Sequence, residues 1–152
     1  MLRVSKLADY ATVVMTILAE SCASDRLTAV LSAQDLAARA HLELPTVSKL
    51  LKQLAQSELV ESFRGVNGGY RLARLPEQIS LADILVAMEG PFGMTECSAH
   101  AGACGHESHC GVRGNWRRVS EVIETTLRQV TLADMLRPPP KRAAIPLRLA
   151  TA

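Results

Sequence analysis

Residues 32 to 73 hold two short amphipathic helical patterns and, directly after them, two strand patterns with a glycine-rich tip. Ser32 and Asp35 have the spacing of a capping box, which predicts a helix through about Ala40. Pro45 suits the first position of a second helix, because its missing N–H would have no partner there. Only the tight turn at residues 41 to 44 separates the two helices. The pattern predicts a helix-turn-helix unit.

The segment after the second helix has the composition of a β-hairpin. Residues 59 to 64 and 70 to 73 have strand character, and the residues from Gly65 to Gly69 tolerate positive φ. A strand follows these glycines, whereas a phosphate-binding loop would be followed by a helix. The predicted fold class is therefore mainly α with a small β-hairpin wing: a winged helix-turn-helix domain with a long helix appended.

One face of the second helix is apolar and the other is polar. The apolar stripe predicted to face the core is Val47, Leu50, Leu51 and Leu54. The residues left on the outer face, here called the recognition face, carry groups that contact phosphates and base edges: Thr46, Ser48, Lys49, Lys52 and Gln53. Arg64, at the base of the wing, is the candidate for a narrow minor groove. A solvated helix face is the alternative, but the turn and the wing favour DNA.

The composition is typical of a helical domain. The distribution of charge indicates that an anionic partner would bind its first half. The chain has 152 residues with 48% hydrophobic but only 3% aromatic side chains, so the core must be aliphatic. A net charge of +2 is uninformative, yet residues 45 to 74 hold five basic side chains against two acidic ones. Double-stranded DNA would meet this segment.

The remaining elements divide the chain into four parts. A helix is predicted over about residues 4 to 21, another from the capping box at Ser80 to about Glu89, and a long one over about 115 to 130. Residues 131 to 134 repeat the capping pattern for a short closing helix. The predicted parts are residues 1 to 91 (DNA-binding domain), 92 to 114 (the cysteine loop), 115 to 136 (long and closing helices) and 137 to 152 (a tail without fixed structure).

The apolar stretch before Cys22 is not predicted to be an export signal. Asp9 lies where its apolar region should begin, and Glu20 and Ser21 occupy positions that require small apolar residues. No other stretch approaches the length needed to span a bilayer. We therefore expect a cytoplasmic protein without membrane contact, in which thiols stay reduced.

The cysteine loop has the composition of a metal site. Cys97, Cys104 and Cys110 are separated by six and then five residues, with glycines between them that let the backbone curl. Thiolates at this density hold zinc or an iron–sulfur cluster, and the spacing alone does not decide between them. The histidines that could complete a zinc site are His100, His106 and His109. Cys22 ends an apolar helix and is predicted to be a small buried hydrophobe.

Catalysis is not predicted, because the chain has neither a Cys-x-x-Cys pair nor a carboxylate pair. The functional alternatives are a cluster-dependent DNA-binding regulator and a zinc-stabilised DNA-binding or interaction module without a sensing cluster.

Four segments over about residues 2 to 136 resemble the IscR/NsrR family of iron–sulfur cluster-sensing regulators, and within it most resemble regulators of the SUF cluster-assembly system. The segments are residues 3 to 11, the wing at 64 to 72, the cysteine triplet, and residues 130 to 134. The resemblance implies a cluster on Cys97, Cys104 and Cys110, control of cluster-assembly genes, and a homodimer joined by the long helix. In this chain the apolar stripe for such a helix is Val119, Ile123, Leu127 and Val130.

One position departs from the family pattern. Sensors of the IscR type have a histidine three residues after the last cysteine, where this chain has Arg113. The branch that senses nitric oxide uses an aspartate of the first helix, which Asp9 matches. The resemblance therefore implies Asp9, donated by the partner subunit, as the fourth ligand, and favours a 4Fe-4S over a 2Fe-2S cluster. A solvated Asp9 at the helix start and a histidine ligand from the cysteine loop are the alternatives.

Overall fold

The computed structural model describes residues 3–22, 29–65 and 67–137. Among these residues there are seven helices and one two-stranded antiparallel hairpin. In chain order they are α1 (Lys6–Cys22), α2 (Ala33–Ala40), α3 (Leu44–Gln56), β1 (Val60–Phe63), β2 (Gly69–Leu72), α4 (Leu81–Glu89), α5 (Glu96–Ala99), α6 (Arg113–Gln129) and α7 (Leu132–Leu136). The predicted tail beyond Arg137 lies outside the described residues.

Helix α1 is the centre of the fold and contacts α2, α3, α4 and α7. Its predicted stripe is confirmed at Ala11, Val14 and Leu18, which are buried, whereas Leu7 at the helix start is half-buried. Met15 is fully buried on the same face, and Thr12 and Ile17 are buried on its two flanks, so α1 has core contacts on more than one side. Full burial of one such side chain stabilises the fold by roughly 1.5–3 kcal/mol.

The helix-turn-helix forms as predicted, with one change at the start of α3. The Ser32 hydroxyl accepts the Asp35 N–H at 3.1 Å and donates to the Asp35 carboxylate at 2.6 Å. The bond to the carboxylate is the first cause that lowers the pKa of Asp35. His41 ends α2 in the left-handed conformation, with φ at 53°. Helix α3 begins at Leu44, so Pro45 occupies the second position and not the first. Its missing N–H still falls in the first turn, where no helical partner exists.

The wing is a short hairpin anchored on the segment before α2. Val60 lies opposite Leu72 and Phe63 opposite Gly69, so β1 is shorter than predicted and β2 begins one residue earlier than predicted. The Tyr70 N–H donates to the Leu31 carbonyl at 2.8 Å, and the Leu31 N–H donates back at 3.0 Å. A Cβ at Gly69 would lie 2.4 Å from the Leu31 carbonyl oxygen, so only glycine permits this approach.

The segment between α4 and α6 contains more structure than predicted. Residues 93 to 114 were expected to be a loop, but Glu96–Ala99 form α5 and Glu107–His109 a short 3-10 turn. The Thr95 hydroxyl and backbone exchange hydrogen bonds with Ser98, which starts α5 in a segment without apolar periodicity. Helix α6 begins at Arg113, two residues before the predicted start. In the described ranges no helix is both long and apolar enough to cross a membrane.

Candidate DNA interface and cysteine loop

The recognition face lies on α3, opposite the core. The predicted core stripe is confirmed, because Val47, Leu50, Leu51 and Leu54 are fully buried. On the recognition face Ser48, Lys49 and Lys52 are exposed, whereas Thr46 and Gln53 are half-buried. The Gln53 amide oxygen is shut off from solvent, without a hydrogen-bond partner among the described residues. The hydroxyl and ammonium groups of the three exposed residues are therefore the more accessible part of this face.

The wing presents a group of three side chains, Glu61, Phe63 and Arg71, that sequence reasoning missed. Arg64 is exposed directly after β1, where it was expected. Arg71 on β2 pairs with the Glu61 carboxylate at 2.7 Å, and its guanidinium lies 4.6 Å from the centre of the Phe63 ring. Strand alternation could have revealed the group, since Glu61 and Arg71 are direct cross-strand partners on the face opposite Val60.

The three loop cysteines lie in different environments. Cys97 is buried in α5 with its Sγ 3.4 Å from the Thr95 hydroxyl, while Cys104 and Cys110 are half-buried on either side of the 3-10 turn. Within the described ranges no three His, Cys, Asp or Glu side chains already form a metal-binding group. The structure thus places the thiols on one short segment but does not gather them into one ligand set.

The donor chemistry of this segment nevertheless fits a thiolate-held cluster. Three thiols are available, and the space beside Gly102, Gly105 and Gly111 is open, since a Cβ there would meet nothing within 4 Å. The backbone at these three glycines therefore has free space beside it.

The other proposed ligands are at the surface. Asp9 is exposed on α1 beside a groove lined partly by Arg3, Leu81 and Leu127. His100, His106 and His109 are exposed as well, and the His109 Nδ1 lies 2.8 Å from the Ser108 hydroxyl. Arg113, in place of the family's histidine, pairs with Glu107. Cys22 is buried in the core, as predicted.

Helix α6 has an apolar face that differs from the predicted stripe. Ile123, Leu127 and Val130 are half-buried, and Ile123 and Leu127 line a cavity together with Leu85 of α4. The exposed apolar side chains, here called the α6 stripe, are Val112 (52% exposed), Trp116 (41%), Val119 (41%) and Val122 (60%). The stripe open to solvent is therefore shifted toward the start of the helix, because α4 covers its end.

A sequence model of the Rrf2 family, described as iron-dependent transcriptional regulator, matches residues 4–138. The chain belongs to the Rrf2 family. Protein rrf2 of Nitratidesulfovibrio vulgaris is 29% identical over 106 residues, which are 70% of this Rrf2 chain and 71% of that protein. The regulator IscR of Erwinia tasmaniensis is 30% identical over 102 residues, 67% of this chain but only 61% of IscR.

Solved structures agree with this Rrf2 assignment. IscR of T. potens superimposes with a TM-score of 0.66 at 31% identity, covering 89% of this chain and 86% of that one. CymR, the global cysteine regulator of B. subtilis, gives a TM-score of 0.68 at 26% identity, with 90% and 97% covered. The expected fold class is confirmed, and the protein is a DNA-binding transcriptional regulator and not an enzyme.

Proposed function

We propose that this Rrf2 regulator senses iron–sulfur status, or redox or nitric oxide stress, through a cluster held by Cys97, Cys104 and Cys110, and that it controls iron–sulfur cluster assembly genes. The observation that carries the proposal is the position of three thiols on the segment that leads directly into α6. We place the regulator in the cytoplasm, where these thiols stay reduced.

The DNA-binding part of the proposal uses the recognition face and the wing. Helix α3 enters the major groove, where Ser48, Lys49 and Lys52 reach base edges and phosphates. Arg64 reaches the neighbouring minor groove, since a guanidinium is attracted by its negative potential. Thr46 and Gln53, which are half-buried, contact DNA from the edge of the same face.

The α6 stripe supports a homodimer. Four large apolar side chains on one helix face would be left in water by a monomer, and a second copy of the same stripe is a self-complementary partner. A symmetric dimer presents two α3 helices to an operator with two half-sites. Loss of the stripe's apolar surface should therefore weaken both dimerisation and operator binding.

The residues that would hold the cluster are the three loop thiolates, with Asp9 of the second subunit as the proposed fourth ligand. When bound, an iron–sulfur cluster supplies a group that oxidation or nitric oxide can alter. We propose the 4Fe-4S rather than the 2Fe-2S form, because the resemblance to the branch that uses an aspartate of the first helix implies it. Because Asp9 lies on α1, it would connect the cluster to the helix that packs on α3.

Contacts within the described residues provide a route from the cysteine loop to the DNA-binding part. The Met94 N–H donates to the Ser120 hydroxyl of α6 at 3.0 Å. The Arg128 guanidinium of α6 lies 3.3 Å from the Asp83 carboxylate of α4. A hydrogen bond to Glu124 on the same helix raises the pKa of Arg128, which keeps this guanidinium charged. Helix α4 packs on both α1 and α3. A change in the loop can therefore reach α3 through packed elements.

A zinc-stabilised DNA-binding module is the second candidate. It is favoured by the three exposed histidines in the cysteine loop, which are ordinary zinc ligands when paired with thiolates. The similarity to CymR, named for cysteine regulation, is a further reason to test the bound group directly.

Anaerobic purification of the full chain, followed by iron, sulfide and zinc analysis and visible absorption, tests the proposal. A brown protein with iron and sulfide in similar amounts supports it. Colourless protein that contains zinc, and that cannot be loaded with iron and sulfide, would favour the zinc module.

A further inference from the structure

Glu107 is a nearly enclosed carboxylate within the cysteine loop. Its side chain is only 11% exposed, although the neighbouring residues Ser108 and His109 are at the surface. One oxygen, Oε1, is shut off from solvent and pairs with the Arg113 guanidinium, with the Arg117 guanidinium 3.7 Å away. The other oxygen, Oε2, accepts the backbone N–H of Gly102. A single carboxylate thus connects the middle of the loop to two arginines of α6.

Both members of the Glu107–Arg113 pair also hold the backbone of a cysteine. The Glu107 N–H donates to the Cys104 carbonyl at 3.1 Å, and the Arg113 N–H donates to the Cys110 carbonyl at 3.4 Å. Each ion-pair residue therefore follows a cysteine by three positions and is hydrogen-bonded to it. The side-chain pair consequently closes the segment that carries both thiols.

Cys97 lies outside this arrangement. It lies in α5, where its Sγ is 3.4 Å from the Thr95 hydroxyl, and in the described part of the chain neither Glu107 nor Arg113 hydrogen-bonds to that helix. The two halves of the cysteine loop are therefore positioned by different interactions. This difference allows the Glu107 contacts to be tested against an internal reference thiol in the same molecule.

We propose that Glu107 is the positioning residue of the cysteine loop: through Arg113 and Arg117 it sets how Cys104 and Cys110 are presented next to the start of α6. The consequence for a cluster rests on the proposed function, whereas the positioning itself does not. Hydrogen bonds between charged groups are stronger than neutral ones, and a nearly buried carboxylate without its partners is unfavourable. Arg113 is thus committed to organising the loop in the place where related sensors have a histidine ligand.

The first experiment uses full-length, reduced, cluster-free protein. We compare wild type with Glu107→Gln and, as matched control, Glu124→Gln. Glu124 forms a 2.6 Å pair with Arg128 within α6, and among the described residues it has no ion pair with the cysteine loop. The readouts are the alkylation rate of each cysteine by iodoacetamide, followed by peptide mass spectrometry, and amide hydrogen exchange at Gly102. Arg113→Gln removes the same pair from the α6 side and serves as the second variant.

In Glu107→Gln and Arg113→Gln we expect Cys104 and Cys110 to react several-fold faster, with Cys97 unchanged. Gly102 should exchange about tenfold faster in Glu107→Gln, because the neutral amide oxygen is a weaker acceptor for its N–H than the carboxylate. Arg113→Lys, which keeps the charge, should restore most of the slow alkylation. In anaerobically loaded protein, Glu107→Gln should lose iron to a chelator several-fold faster than Glu124→Gln.

Alkylation and exchange rates equal to those of Glu124→Gln in both variants would overturn the positioning role. Equal acceleration of all three cysteines would overturn it as well, because it would indicate general unfolding. If wild type binds no iron and sulfide, the proposed function fails, while the alkylation rates still decide the role of Glu107.

Discussion

Ser80 and Thr131, the N-cap residues of α4 and α7, lie opposite each other in an antiparallel backbone bridge. The Leu81 N–H donates to the Val130 carbonyl and the Leu132 N–H to the Ile79 carbonyl, both at 2.8 Å. Two identical capping patterns, 51 positions apart in the sequence, are thereby brought together. The end of α6 is consequently fixed to the start of α4.

The first prediction concerns the N-cap of α4 at Ser80, one of the two residues in this bridge. The Ser80 hydroxyl accepts the Asp83 N–H at 3.1 Å in a nearly buried position. Ser80→Ala should lower the free energy of unfolding by about 0.5–2 kcal/mol, because one N–H of the first turn loses its acceptor. Urea denaturation measures this, with Ser57→Ala, an exposed residue after α3, as control. Equal stability of Ser80→Ala and wild type would contradict the prediction.

The second prediction concerns the pKa of Asp134 and the stability of the fold at acidic pH. The Thr131 N–H, and then its hydroxyl, lower the pKa of Asp134 by donating to its carboxylate. A lowered pKa means that this contribution to stability is complete above the pKa of the unfolded chain. It is lost as the pH falls through the lower pKa of the folded chain. Thr131→Val keeps the N–H but removes the hydroxyl, so the pKa of Asp134 should rise part of the way toward its ordinary value.

NMR titration of the Asp134 carboxyl checks this shift, and urea denaturation at neutral and acidic pH checks the linkage. The stability difference between wild type and Thr131→Val should shrink below the acidic transition. Thr126→Val, which removes a hydroxyl bonded to its own helix, is the control. An unchanged pKa of Asp134 would show that the hydroxyl has no part in the shift.

Local features of this fold could be predicted from the sequence. The capping boxes at Ser32, Ser80 and Thr131 form as expected, because both partners lie within one turn of the same helix. The core stripe of α3 follows from helical periodicity alone. The position of the recognition face follows by elimination, since residues outside the core stripe lie on the other side of the helix; its contact with DNA stays a prediction.

Features that depend on tertiary contacts could not be predicted. The α6 stripe shares only Val119 with the stripe expected from the sequence, because periodicity defines a helix face but not which end of it α4 covers. The short helix α5 depends on Thr95 and Ser98 and lacks an apolar repeat. The Glu107–Arg113 pair was missed because charged residues in a glycine-rich loop are usually solvated, and only the fold shows the carboxylate to be enclosed.

The third prediction tests the proposed ligands. Cys97→Ala, Cys104→Ala and Cys110→Ala should each prevent cluster loading, because each removes one thiolate ligand. Cys22→Ala should load normally, since Cys22 is buried in the core at the end of α1. Iron and sulfide content after anaerobic reconstitution measures the outcome. Full iron content in any of the three loop variants would remove that cysteine from the ligand set.

The fourth prediction tests DNA binding. Lys49→Ala and Arg64→Ala should weaken operator binding while iron content stays unchanged, because the recognition face and the cysteine loop are separate. Loss of a base contact should cost about 1–3 kcal/mol, and loss of a phosphate contact should reduce the salt dependence. Arg137→Ala, an exposed arginine after α7, is the control for charge alone. Operator affinity at the wild-type level in both variants would contradict the docking of α3 and the wing.

The last prediction concerns Asp9. Its carboxylate is exposed in the first turn of α1, and in the described residues of one subunit it belongs to no three-ligand group. Our proposal is that a second subunit, joined through the α6 stripe, brings Asp9 to the cluster. If Asp9 is the fourth ligand, Asp9→Ala should leave a cluster with an altered visible spectrum and a shorter lifetime in oxygen.

Single alanine variants of His100, His106 and His109 are the matched controls, and we expect all three to have the wild-type spectrum. If Asp9 only complements the helix dipole, the result is different. Asp9→Ala would then lower the free energy of unfolding by roughly 0.3–1 kcal/mol and leave the visible spectrum unchanged. Denaturation and absorption measured on the same preparations separate the two roles. If Asp9→Ala matches wild type in spectrum, oxygen lifetime and DNA response, Asp9 is not a ligand. A histidine variant with an altered spectrum would then identify the fourth ligand within the cysteine loop.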